Sequence, residues 1–482
     1  MTAKPLDAVV LGSGPNGLSA ALTLARAGRS VKVIEGQPTI GGGARTMPLT
    51  LPGFQHDLCS AIHPLAAASP FFATLDLAKH GVEFIHSPYP LVHPLSGGRA
   101  AVLHRSVDET AARLGADERR YRQIFKPLVE HFDSLKPLLF NPLTKPPLKS
   151  NPLIAALFGL QALKSAVDFA GGEFETEEAR ALMGGCAAHS FSPLTEPLTA
   201  SFCLVLATAG HAIGWPLIRG GSQSLSNALA SLLRAAGGDI EVNRPISSIN
   251  ELPPSRLVLF DTHAEVMSRV CGDALPTSYH RALGRFRRGG GVFKIDYALD
   301  GPVPWASPQA ARAATVHVGG PLDDLVDSEA GPSAGKVASK PYVLCAQQSL
   351  FDQTRAPEGH HTFWAYCHTP NGNNDDLTDV LEAQLERFAP GFKKRVLARS
   401  IKRNVDVEAG NASYVGGDIS GGSVGGLQLF ARPTVRMPYT TPNPKILICS
   451  SSAPPGPGVH GMCGYWAAKL ALNRLAPFQP SE

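Results

Sequence analysis

The stretch Val9-Val10-Leu11-Gly12-Ser13-Gly14-Pro15-Asn16-Gly17 limits the folds open to this chain more than any other. Ala8 to Leu11 is an apolar run that reads as a buried strand, and the glycine turn follows without a break. Leu18 to Ala27 is rich in strong helix formers and is stopped by Gly28. A second apolar strand, Val31 to Ile34, ends on Glu35. The pattern predicts a dinucleotide-binding βαβ unit. Gly12 permits the tight turn, Gly14 lets the backbone approach a pyrophosphate, and Gly17 lets helix and strand pack closely. Pro15 and Asn16 open the helix whose free N–H groups and positive dipole end would hold the pyrophosphate. Glu35 stands where a carboxylate can accept hydrogen bonds from the ribose hydroxyls and would repel a 2′-phosphate, which argues against NADP. The motif alone leaves NAD and FAD both open.

At 482 residues the chain is long enough for two or three domains around a large core. Its net charge of +4 is small for this size, and there is no basic run or zinc-finger spacing, so nucleic acid is not expected as a partner. Eight cysteines are scattered with no CxxC or CxxxxC pair. That fits reduced thiols in a cytoplasmic protein and excludes an adjacent redox-active disulfide of the usual spacing. No basic-plus-apolar leader precedes the first strand, so no secretory signal is expected. The uncharged window from Pro197 to Ile218 could span a bilayer by length, but it holds two prolines, two glycines and His211. A buried helix and a turn fit it better.

A second glycine loop, Gly41-Gly42-Gly43-Ala44-Arg45-Thr46, follows Glu35. Its backbone could lie along a long cofactor while Arg45 neutralises the pyrophosphate, which makes Gly41, Gly42, Gly43, Arg45 and Thr46 candidate cofactor contacts. An NAD site has no need of such a loop. A flavin dinucleotide does, because its ring lies well beyond the first βαβ unit.

The Glu35-x5-Gly41-Gly42 spacing, followed by Phe54 and Asp57, resembles the flavin-binding N-terminus of phytoene desaturase-type oxidoreductases. It is most similar to the phytoene-dehydrogenase-related branch, which includes the pyridine nucleotide-disulfide oxidoreductase domain-containing proteins. That family usually places Arg directly after the glycine pair, whereas Gly43 and Ala44 intervene here. Near the other end, Pro455-Gly456-Pro457-Gly458-Val459-His460-Gly461 resembles the P-G-x-G-(Ile/Val)-x-G that closes the same family, between an apolar strand at 445–449 and a terminal helix. The resemblance implies that Gly458, Val459, His460 and Met462 lie beside the flavin, and that Ile246 lends its backbone to the adenine. It also implies that GGDISGG (416–422) lies near the substrate cavity.

Other residues invite chemistry without earning it in the sequence. His189, His211 and Trp215 lie among small residues and read as satisfied core positions. His360, His361 and His368 have no acid or cysteine at ligand spacing, so strand alternation accounts for them and no metal is expected. From Tyr121 to Ala170, apolar residues alternate with prolines and with Lys126, Lys136, Lys145, Lys149 and Lys164. This could be a basic, apolar face resting on a membrane; a helical cap with snorkelling lysines is the favoured reading.

The implied fold is α/β, a glutathione-reductase-like, Rossmann-type FAD-binding domain assembled from residues 1–70, 218–290 and 401–482. Inserted into it is an α+β substrate domain, with a mainly helical part at 71–217 and an antiparallel sheet at 291–400. The cofactor implied is FAD, held noncovalently rather than through Cys463. The reaction implied is removal of hydride from a C–H of an apolar, carotenoid- or lipid-like substrate to flavin N5, with oxygen or a quinone as electron acceptor. His460 is the candidate catalytic residue and His63 stands behind it. A disulfide reductase is not expected. An amine or amino-acid oxidase, a redox-neutral FAD-dependent isomerase, and a regulatory lipid-binding interaction protein remain open alternatives.

Overall fold

The computed structural model describes residues 4–142 and 151–476. Lys145 and Lys149, two of the five lysines in the basic apolar stretch, lie outside the described residues. Two large sheets carry the fold. Their strands, in chain order, are β1 (Leu6–Leu11), β2 (Val31–Ile34), β3 (Tyr89–Pro94), β4 (Ala100–Leu103), β5 (Asp239–Glu241) and β6 (Ser255–Phe260). They continue with β7 (Gly291–Leu299), β8 (Ala313–Val318), β9 (Val343–Ala346), β10 (His361–Thr369), β11 (Val396–Lys402) and β12 (Ile446–Ile448). The helices that position the site are α1 (Pro15–Arg26), α2 (Pro152–Ala162), α3 (Glu177–Ala187), α4 (Thr199–Ala212), α5 (Gln223–Ala235), α6 (Thr378–Phe388) and α7 (Met462–Leu475).

The first sheet is parallel, in the order β12-β6-β1-β2-β5. Three distant stretches of chain therefore meet in one sheet. Ala8 to Leu11 is apolar at every position because helices cover both faces of a parallel sheet and leave no solvent side. Gly14 caps α1 in extended conformation and Pro15 takes its first position, where a missing N–H costs nothing. The terminal helix α7 lies across this same turn. A Cβ at Gly464 would run into the carbonyl oxygen of Asn16, so only glycine lets the last helix reach the first.

The second sheet, β11-β7-β10-β9-β8-β3-β4, is antiparallel except where β8 runs parallel to β3. Residues 71–217 thus supply β3 and β4 as well as helices. Pro90 and Pro94 hide β3 in the sequence, because proline removes a ladder donor and argues against a strand. Alternation divides this sheet cleanly. Phe293, Ile295 and Tyr297 of β7 and Phe363, Ala365 and Cys367 of β10 pack with α6 through Leu381, Leu385 and Phe388. Val292, Leu344, Trp364 and Tyr366 face the other way, toward α3 and α4. The Pro197–Ile218 window resolves into α4 and a turn. Among the described residues no single helix is long and apolar enough to cross a membrane.

Gly464→Val should destabilise the protein by roughly 3 kcal/mol, because a backbone carbonyl cannot move aside for the new side chain. The urea midpoint would measure it; an unchanged midpoint would mean that α7 does not rest on α1.

Candidate functional site

A cavity of about 900 Å³ runs from the opening glycine turn to the inner face of the mixed sheet. Gly12, Gly14, Pro15, Asn16, Glu35, Gly42, Gly43, Arg45, Ile246, Gly458, Val459 and His460 all line it. The two ends of the chain therefore share one cleft. Glu35 stands at the end of β2, where Oε2 accepts from the N–H and hydroxyl of Ser13 (2.9 and 2.6 Å) and Oε1 from the N–H of Gln37 (2.9 Å). Arg244 N–H donates to the Glu35 carbonyl at 2.9 Å, which carries Ile246 to the cavity wall. Arg45 is 3% exposed and donates from Nε to the Gly42 carbonyl (2.7 Å) and from Nη2 to that of Gly410 (2.6 Å). Burial lowers its pKa, partly offset by Tyr414 and Glu35.

Four expected cofactor contacts lie behind the wall instead of on it. Gly17 is enclosed by Gly12 and Asp261, and its N–H donates to Asp261 Oδ2 at 2.8 Å. Gly41 donates its N–H to the Ser13 carbonyl at 3.0 Å and packs on Ser226. Thr46 turns its hydroxyl inward to Asp57 Oδ1 at 2.7 Å. Met462 is buried in the core at the start of α7. Each holds the shape of a loop whose neighbours touch the cavity.

His460 lines the cavity but is committed to the fold. Its Nδ1 accepts the Met462 N–H at 3.0 Å, its carbonyl accepts the Ser69 hydroxyl at 2.7 Å, and Phe140 meets the ring edge-on. Burial lowers its pKa to about 4, with the Gly456 and Pro457 carbonyls opposing. This neutral imidazole fastens the tail loop to α7. His63 is also drawn down to about 4 by burial, and its Nε2 lies 2.9 Å from the Ser222 hydroxyl. Cys463 is buried off the cavity wall and donates weakly to the carbonyls of Ala453 and Gly456, both at 3.4 Å.

Asp261, just beyond the end of β6, is not among the residues that the sequence motifs single out. Its carboxylate lines the cavity directly under the first turn of α1 and accepts hydrogen bonds from the Gly17 and Gly14 N–H groups. A Cβ at Gly14 would stand 2.6 Å from Asp261 Oδ2, and one at Gly12 the same distance from its carbonyl oxygen. Burial pushes its pKa up to about 7, the two amides opposing and the Glu35 charge adding.

A second cluster joins the glycine loop to the mixed sheet. Asp57 is fully buried and takes Thr46 Oγ1, Ser222 N–H (2.9 Å) and Arg355 Nη2 (2.8 Å). Burial alone would raise its pKa, but Arg355 and these donors bring it below the ordinary value. Beside it, Lys294 donates to both oxygens of Asp296 (2.5 Å each) and to the Asp57 carbonyl (3.2 Å). Burial and the charges of Lys294 and Arg355 hold His56 neutral, at about 3.

The residues present fit FAD. A glycine cradle without side chains meets a helix N-terminus, Glu35 and Ile246 flank one end, and the Gly458 loop faces the cavity further along.

Residues 10–76 match the family described as NAD(P)-binding Rossmann-like domain. Over 97% of its length the chain is similar, at 28% identity, to 94% of the rat (Rattus norvegicus) pyridine nucleotide-disulfide oxidoreductase domain-containing protein 2. About half of it, 51%, is 26% identical to 46% of a limonene dehydrogenase subunit from Castellaniella defragrans. Among solved structures, a triple mutant of putrescine oxidase superposes with a TM-score of 0.63 at 18% identity, covering 98% of this chain and 99% of that one. The last likeness is one of fold. Together with the cradle, these similarities are those of an oxidoreductase built on a Rossmann-type, FAD-binding domain.

Gly14→Val should abolish FAD binding, read as flavin released on denaturation. Asp261 is protonated below a pH of about 7 and anionic above it, so the native protein should bind FAD roughly tenfold more weakly for each unit of pH above that point. Asp261→Asn should flatten the slope in a flavin-fluorescence titration; an unaltered slope would exclude Asp261 as the titrating group.

Proposed function

We propose that this protein is an FAD-dependent oxidoreductase of the phytoene-dehydrogenase-related type, which takes hydride from a C–H bond of an apolar, carotenoid- or lipid-like substrate. One observation carries the reading: the two arms of the cavity differ in chemistry. The charged residues that line it, Glu35, Arg45, Arg244, Asp261 and Arg269, belong to the dinucleotide arm. The other arm is walled by Phe158, Phe202, Trp215, Leu344 and Trp364, with no charged lining residue among the described ones. When bound, FAD supplies the hydride acceptor at N5, with oxygen or a quinone as the electron acceptor. The chain binds and shields: α4 and the mixed sheet exclude water from the reacting carbon, and the Gly458 loop at the N-terminus of α7 favours negative charge beside the ring. The similarity to a limonene dehydrogenase subunit supports an apolar substrate.

An amine oxidase is the second reading, favoured by the likeness of fold to putrescine oxidase and by Trp364 and Tyr366 on the cavity wall. An ammonium group or an amino-acid carboxylate would find no charged partner in the apolar arm among the described residues. Disulfide reduction is disfavoured, since all eight cysteines are free and seven of them buried.

The apolar arm opens beside Leu163 and Phe430, which line it and are 60% and 44% exposed, with Leu160 (72%) next to them on α2. This supports a protein that rests its cavity mouth on a lipid surface, from which an apolar substrate enters.

Anaerobic mixing should bleach the blue absorbance of the flavin with a terpenoid or carotenoid, and not with putrescine. Bleaching by amines alone would move the assignment to an oxidase, and no bleaching by either class would favour the redox-neutral readings. Leu160→Glu with Leu163→Glu should lower sedimentation with phospholipid vesicles at unchanged FAD content; equal sedimentation would remove the membrane contact.

A further inference from the structure

Tyr366 brings a polar group to the cavity wall that hydride removal from a hydrocarbon does not call for. Because β10 alternates, Trp364 and Tyr366 share the face turned toward α3 and α4, while Phe363, Ala365 and Cys367 pack with α6. Both line the cavity. Tyr366 pairs across the sheet with Lys294 of β7, which puts the two side chains on one face. Lys294 in turn reaches the Asp57 carbonyl at 3.2 Å. Cys59, shortly after Asp57 in the chain, also lines the cavity and is near enough to Tyr366 to bear on its ionisation. Tyr366 therefore stands where the two arms meet.

Its ring is held and its hydroxyl is free. The Trp364 ring lies 5.4 Å away, and Phe191 stacks on Tyr366 at 6.4 Å with the planes 14° apart. Tyr366 is 8% exposed and its hydroxyl makes no hydrogen bond among the described residues. The oxygen is not sealed in the core either, as Thr315 Oγ1 on the same wall is. What it meets is the cavity. Neighbouring donors are spent: Ser60 on the Gly43 carbonyl, Ser201 on that of Leu198 and Trp215 on that of Leu206. The Trp364 N–H goes to the side-chain oxygen of Gln348, in the amide orientation that satisfies both residues. Burial pushes the phenol pKa up, with Cys59 and Glu329 adding, so Tyr366 keeps its proton and can donate it.

We propose that the Tyr366 hydroxyl anchors the substrate by donating a hydrogen bond to an oxygen, carbonyl or hydroxyl, on an otherwise apolar skeleton. The proposal rests on the apolar arm being the substrate cavity, and it narrows the substrate class from a plain hydrocarbon to an oxygenated one. The skeleton fills the arm by burial, and the oxygen sets which end lies toward the dinucleotide arm. A hydrocarbon of the same shape expels water from the junction and leaves the phenol without an acceptor, which is costly in a dry site.

The test uses the FAD-loaded protein and two ligands of one shape, 2-decanone and 2-methyl-1-decene, which carry C=O and C=CH2 at the same position. Calorimetric titration should show the ratio of ketone to alkene affinity falling about tenfold on Tyr366→Phe, the factor that ~1.4 kcal/mol carries. The FAD content of the variant reports that it is folded. Infrared difference spectra, with the carbonyl carbon isotopically labelled, give a readout that lost packing does not move. In the native protein the bound ketone should absorb at lower frequency than in hexane, and Tyr366→Phe should bring the band back. An unchanged ratio, or a native band at the hexane position, would overturn the anchor while leaving the apolar arm in place. If neither ligand binds the native protein, the anchor and the apolar-arm reading fall together.

Discussion

Asp57 is the point on which the relative placement of the two sheets depends. It is an anion removed from water, and such a charge persists only where donors surround it. Its donors come from separate parts of the chain: Thr46 from the glycine loop, Ser222 from the start of α5, and Arg355 from the segment between β9 and β10. Lys294 reaches the Asp57 carbonyl from β7 and is itself neutralised by Asp296. Moving either sheet would strand a buried charge, so the cluster sets where the dinucleotide arm ends and the apolar arm begins.

The cavity follows from that placement and from alternation. One face of the mixed sheet is spent on α6, which forces Trp364, Tyr366, Thr315 and His317 to the side of α3 and α4. The parallel sheet presents the ends of β1, β2 and β6 with Gly12, Glu35 and Asp261 just beyond them, where open α/β sheets leave a crevice. A polar end and an apolar end then share one continuous space. The same geometry makes Asp261 a cap for α1 and a neighbour of whatever anion that helix holds.

Legibility tracked how local each constraint was. The opening turn and the Gly458 loop were readable because backbone approach demands glycine at fixed spacings, and both loops reach the cavity. Thr46, Gly17, Gly41 and Met462 belong to the same motifs, but a motif does not say which side of a loop faces inward. Asp261 carried a signal, an acid directly after the apolar run of β6, yet nothing in the sequence placed it under a helix that begins far earlier in the chain. β3 was hidden by its own prolines. His189 read as a core histidine, and its partner lies 128 residues further on.

The sequence by itself determined a dinucleotide turn, the acid at the end of β2 and a glycine-rich tail loop before a helix, since each depends on short-range backbone geometry and apolar patterning; the return of the chain to one sheet was only what the family resemblance implies. Only the tertiary structure decided that His460 fastens a helix, that Asp57 is buried among donors, that Asp261 takes the amides of the opening turn at the cavity wall, and that His189 pairs with His317. The protonation and direction of such groups are set by neighbours far away in the chain and by the loss of water around them, and neither is written in local spacing.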